Sequence, residues 1–118
     1  MTELHTVVET PAYLSDARHC KVSEAERLAI VNAVASDPDG GDLVKNTGGV
    51  RKVRVAGRGK GKSGGYRIIT VHISNDIPVY LLAMLSKGER ANFSEADKKA
   101  FRQLTAEIKK LWKERQNG

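Results

Sequence analysis

Residues 51–86 read RKVRVAGRGKGKSGGYRIITVHISNDIPVYLLAMLS, and the fold is decided in this stretch. Arg51 to Ala56 alternates, so a strand here sets Lys52 and Arg54 on one face and Arg51, Val53 and Val55 on the other. Gly65 to Ser74 (GYRIITVHIS) is rich in β-branched residues. Pro78 to Ser86 (PVYLLAMLS) is nearly all apolar, the pattern of a strand covered on both faces. Asn75-Asp76 supplies the turn between them, and strands joined by such short connections form an antiparallel meander.

The flanks supply the helices. Thr2 to Glu9 (TELHTVVE) is short and β-branched, which predicts an N-terminal strand ending before Pro11. Tyr13 to Cys20 fits either a short helix or an irregular connection. Ser23 with Glu26 forms a capping box and opens a helix through Leu28, Ile30, Val31 and Val34. That helix stops near Ser36, because Pro38 disfavours helical backbone before it, and Asp39-Gly40-Gly41 turns the chain. Ser94 with Asp97 caps a long final helix, whose Phe101, Leu104, Ile108 and Leu111, with Trp112 beside them, form a stripe that can pack on the sheet. Lys109, Lys110, Lys113 and Arg115 crowd its end, where cations complement the helix dipole.

The 118 residues suit a single domain spanning 1–118, with 40% hydrophobic and 29% charged residues, an ordinary globular composition. No run approaches a membrane span and no signal-peptide pattern opens the chain, so a cytoplasmic protein is expected. Cys20 is the lone cysteine, which excludes an intramolecular disulfide. The dispersed His5, His19 and His72 suggest no metal site, and no cofactor is implied. His72 reads as packed rather than catalytic.

Charge is distributed unevenly. The net charge is +6, yet no acidic residue lies between Asp42 and Asp76, where Lys45, Arg51, Lys52, Arg54, Arg58, Lys60, Lys62 and Arg67 collect. The remainder holds twelve basic and fourteen acidic residues, so the positive field is internal to one segment and suits a polyanion. Seven of eleven glycines fall between Gly48 and Gly65. Ala56 to Ser63 (AGRGKGKS) imitates a phosphate-binding loop and Gly59 to Gly64 a dinucleotide fingerprint. Both need a helix to follow, and here Tyr-Arg-Ile-Ile-Thr-Val predicts a strand. What remains is a cationic hairpin loop able to settle on a phosphate backbone.

Thr47 to Ser74 (TGGVRKVRVAGRGKGKSGGYRIITVHIS) and Tyr80 to Phe101 (YLLAMLSKGERANFSEADKKAF) together resemble the RelE/HigB superfamily of type II toxin–antitoxin toxins, in its HigB-like branch with an extended glycine-lysine loop. The match covers about the last two thirds of the chain. It implies a small α+β domain with a curved, mostly antiparallel sheet packed by two or three helices. It also implies a toxin that acts as a ribosome-dependent mRNA endoribonuclease, working in the ribosomal A site without a metal. A cognate antitoxin, of helix-turn-helix type, is implied as partner.

Carried over by residue, the resemblance assigns catalysis to Lys52, Arg54, Arg67 and Lys87, with Lys87 and Glu89 matching a Lys-x-Glu after the last core strand. Lys45, Arg51, Arg58, Lys60, Lys62, Tyr66, Arg90 and Phe93 are the expected RNA contacts. Gly88 stands where the founding branch has an arginine, and Phe93 lies near its catalytic tyrosine. Without a hydroxyl, Phe93 can stack on a base but cannot donate a proton, so Lys87 or Arg90 becomes the candidate acid.

Cleavage by the 2′-hydroxyl needs a base, charge on the transition state and help for the leaving oxygen. Arg67, a permanently charged planar fork, suits oxyanion stabilisation. Lys52 is the candidate base, since like charge at Arg51 and Arg54 disfavours an ammonium beside them. Few such groups make a slow catalyst alone, and ribosomal alignment can contribute on the order of 7 kcal/mol. The same residues also fit a non-catalytic RNA- or ribosome-binding module. A DNA-binding autorepressor fits less well, because the basic residues lie on strands and a loop and form no recognition helix.

Overall fold

The computed structural model describes residues 5–57, 61–86 and 93–117, with side chains left aside at 56–57, 61–64 and 116–117. Eight elements follow in order: β1 (Val7–Glu9), α1 (Pro11–His19), α2 (Glu24–Ser36), β2 (Asp42–Leu43), β3 (Val50–Gly57), β4 (Gly61–Val71), β5 (Val79–Ser86) and α3 (Glu95–Asn117). They build one mixed five-stranded sheet of order β1-β5-β4-β3-β2 with helices on both faces, the expected α+β class.

The meander β3-β4-β5 is antiparallel as its alternation predicts, and β1 adds in parallel to the free edge of β5. Tyr13 to Cys20, open in the sequence, is helical: Thr10 caps α1 by accepting from the Tyr13 amide, and Pro11 occupies the first turn, where a missing N–H costs nothing. Both capping boxes close. Ser23 accepts from the Glu26 amide at 3.1 Å while Glu26 accepts from the Ser23 amide at 3.1 Å, and Ser94 and Asp97 repeat the exchange ahead of α3.

Two cores result. Under α1 and α2 lie Tyr13, Ala17, Ile30, Val34, Tyr66, Ile68, Val79, Leu81 and Met84, joined by Val53 and Val55. Under α3 lie Val50, Ile69, Val71, Ile77, Leu82 and Ile108, joined by Phe93, Phe101, Leu104 and Trp112. A bulge in β5 keeps the faces in phase. Ile69 pairs with Ala83 but Thr70 with Leu81, so Leu82 is the extra residue, and Leu82 and Ala83 both face α3 before Met84 returns to the other side.

Two stripe residues differ from expectation. Leu28 is 62% exposed and Leu111 is 48% exposed, while Thr105 takes a buried place in α3. A helix stripe two residues wide covers a narrow sheet, and Leu28 and Leu111 fall at its margins.

The glycine-rich segment also differs. β4 starts at Gly61 rather than Gly65, and Gly57 pairs with Gly61 across an irregular rung, so only residues 58–60 lie between the strands. At the opposite end of β3, Gly41 has φ +84° and a Cβ there would meet the Lys52 carbonyl oxygen at 2.4 Å, so the chain can enter β2 this close to β3 only with glycine.

Candidate RNA-binding face

Strand parity places the functional side chains. Val50 and Ile69 face α3, so Lys52 and Arg54 on β3 and Arg67 on β4 face the same way. The register sets Arg54 opposite Arg67, Lys52 opposite Ile69, and Leu85 on the far side of Arg67. Directly opposed residues stand roughly 5 Å apart at Cβ and diagonal ones roughly 7–8 Å, which makes Lys52, Arg54 and Arg67 one cluster. α3 covers the Val50–Val71 end of this face; at the other end Arg54 is exposed and Arg67 half-buried. Among the described residues no carboxylate pairs with Arg54 or Arg67. Asp42 lies directly opposite Lys52 on β2, a neighbour that hairpin counting back from β3 could have located.

Several expected contacts lie elsewhere. Arg51 points to the α1–α2 side, where its Nη1 donates to the Gly41 carbonyl at 3.3 Å. Tyr66, next to Arg67 in sequence, is turned by the same parity into the core beneath α2. It is 9% exposed, its hydroxyl reaches Glu26 Oε2 at 3.5 Å, and burial, with Glu26 and Cys20 adding to it, pushes the phenol's pKa up. A ring so placed cannot stack on RNA bound to the arginine face. Phe93 packs edge-to-face on Phe101, with centroids 5.2 Å apart, as part of the α3 core. Lys45 is exposed in the β2–β3 turn, at the far end of β3 from Arg54. Arg58, Lys60, Lys87, Arg90, Gly88 and Glu89 lie outside the described residues, as does the side chain of Lys62.

His72 is packed, with a side chain only 4% exposed. It follows the end of β4 rather than lying mid-strand, its Nδ1 is 3.0 Å from Asp39 Oδ1, and its ring meets His5 edge-on at 5.2 Å. Five residues along β4 from Arg67, and of opposite parity, it belongs to a separate region. Among the described residues no group of three or more His, Cys, Asp or Glu is arranged to hold a metal, and no helix is long and apolar enough to cross a membrane.

The face can therefore bind a phosphate with two opposed guanidinium forks and set a lysine beside it. That is the layout of anion recognition on a sheet. The comparisons agree with the architecture. A double-arginine mutant of the E. coli toxin RelE, solved in the free state, is similar over 75% of this chain and 87% of that one, with a TM-score of 0.53 and 16% identity, a likeness of fold. The family model described as the RelE toxin of the RelE/RelB toxin–antitoxin system matches residues 7–117, so nearly the whole chain is spanned by it. The chain belongs to the RelE toxin family, and is thus the toxin of a toxin–antitoxin pair whose partner is an antitoxin.

Proposed function

We propose that this toxin is a ribosome-dependent mRNA endoribonuclease that stops translation by cutting the transcript in the A site. The observation that carries the reading is the cross-strand Arg54–Arg67 pair beyond the part of the sheet that α3 packs on, with Lys52 diagonal to Arg67. Two like charges opposed in a ladder weaken it, so the arrangement favours an anion as the missing third member. In the proposed reaction Lys52 accepts the proton of the attacking 2′-hydroxyl. Arg54 and Arg67 hold the phosphate and the negative charge that grows on it, and Lys87 assists the departing 5′-oxygen. Arg58, Lys60, Lys62 and Arg90 hold the transcript. The reading takes residues 1–118 as one HigB-like domain acting in the cytoplasm against a helix-turn-helix antitoxin.

A second reading is a ribosome-binding module without catalysis. It draws on Phe93, which packs against Phe101 and carries no acid. Expressing the native chain beside Arg67→Ala and mapping mRNA 5′ ends separates the two. New ends that appear with the native chain and disappear with Arg67→Ala support the nuclease. Growth arrest that persists in Arg67→Ala, with no new ends in either strain, supports the binder.

A further inference from the structure

The outer side of α3 carries a cationic stripe that the helix dipole does not explain. Only Arg115 falls in the last turn, and its guanidinium sits 4.9 Å over the Trp112 ring. Lys109, Lys110 and Lys113 stand further in, because the helix continues to Asn117, whereas dipole effects fade within the final turn. At 3.6 residues per turn they fall with Lys99 and Arg102 in an arc roughly 100° wide, turned away from the buried Thr105 and Ile108. All five are exposed. Among the described residues none has an ion-pair partner, whereas Lys98, off the arc, is 3.7 Å from Glu95. Glu107 and Glu114 flank the stripe along one edge. Arg102 donates to the Asn46 carbonyl, which brings the Lys45 turn alongside and adds a sixth cation.

We infer that this stripe is a docking surface for the phosphate backbone of double-helical RNA. Like charges at Lys99–Arg102 and Lys109–Lys113, three and four residues apart, disfavour the helix unless an anion lies across them. From Lys99 to Lys113 the stripe is straight and about 21 Å long, matched to the regular phosphates of a duplex. Its outer arc has no aromatic ring, and so no stacking platform for single-stranded bases. Ala106 is the arc's sole apolar residue, which gives a protein partner no buried anchor. α3 packs on the same sheet face that bears Arg54 and Arg67, so a duplex on the stripe and a single strand at the arginines approach from one side. The inference extends the RNA reading above, but needs no cleavage.

The test measures binding of the full chain to a short blunt RNA duplex by fluorescence anisotropy over a salt series. Replacing Lys109, Lys110 and Lys113 together by Gln is expected to weaken binding about tenfold or more at ~0.1 M salt and to lower the log–log salt slope by about two to three. Arg18→Gln, at an exposed cation on α1 across the sheet, by contrast keeps duplex affinity within about twofold, and because the assay scores binding alone its result is read separately from cleavage. The Lys109→Gln/Lys113→Gln pair removes a like-charge contact and is expected to melt no lower than the native chain, which makes it the second variant. An unchanged affinity and slope in both variants means a merely solvated face and overturns the inference. So does a duplex affinity that holds while binding to a polyglutamate peptide is lost, since the occupant would then be an acidic protein segment.

Discussion

Arg54 and Arg67 face each other across the β3–β4 ladder, and among the described residues no carboxylate neutralises either. The opposition costs the free protein a fraction of a kcal/mol, of the order of 0.2–1. Replacing either residue by Gln is therefore expected to leave stability unchanged or raise it by that amount, as urea unfolding would record. A loss of more than about 1 kcal/mol would mean that the guanidinium groups hold the fold together and are not waiting for an anion.

Tyr66 provides a control on strand parity. Tyr66→Phe keeps the ring in the α2 core and removes only a long contact to Glu26, so mRNA cleavage is expected to match the native rate. Tyr66→Ala leaves a cavity and should cost about 3–5 kcal/mol in a denaturant titration. A cleavage rate that falls sharply in Tyr66→Phe, with stability intact, would place the hydroxyl on the RNA.

Tyr13 is fully buried, its hydroxyl has no hydrogen-bond partner among the described residues, and burial, reinforced by Glu9 and opposed by Arg27, pushes its pKa up to about 12. The unfolded phenol ionises near 10. Between about pH 10 and 12 the unfolded chain has released this proton and the folded chain has not. This contribution is full below about pH 10 and is lost as pH rises through about 12, up to about 3 kcal/mol in all. Tyr13→Phe removes that loss, and because it deletes an unsatisfied polar atom it should be neutral or stabilising by about 1 kcal/mol at pH 7. Unfolding curves of both proteins at pH 8 and pH 11 check it.

Gly41→Ala is expected to destabilise by about 1–3 kcal/mol, since a Cβ at φ +84° would strike the Lys52 carbonyl. As that carbonyl belongs to the putting-in-place of Lys52 on β3, cleavage should fall as well. Thermal melts paired with cleavage rates on the same preparation test both effects.

Much of this could be read from residues alone, for identifiable reasons. The alternation of Arg51 to Ala56 and the two capping boxes are local signals, and β3, α2 and α3 formed where they pointed. The parallel pairing of β1 with β5 joins residues some seventy positions apart, as between Val7 and Val79, and leaves no local trace. Leu28 and Leu111 fit a helical period yet miss the sheet, because periodicity sets a direction and not the width of what is covered. The resemblance puts Tyr66 on the RNA beside Arg67, but the period of two that sorts β3 separates the two residues on β4. Charge alone groups Lys45 with the strand cations, whereas the Arg102–Asn46 contact and the approach of Gly48 to Thr105 bring its turn beside α3.

The central claim is that the opposed arginines of β3 and β4 stabilise the charge that develops as mRNA is cut. Single-turnover cleavage of mRNA on programmed ribosomes, comparing the native chain with Arg67→Gln at saturating toxin, tests it most directly. The account predicts that the native chain cuts and that Arg67→Gln is slower by about a hundred- to a thousandfold. Equal rates for the two proteins, or no cutting by the native chain, would contradict it.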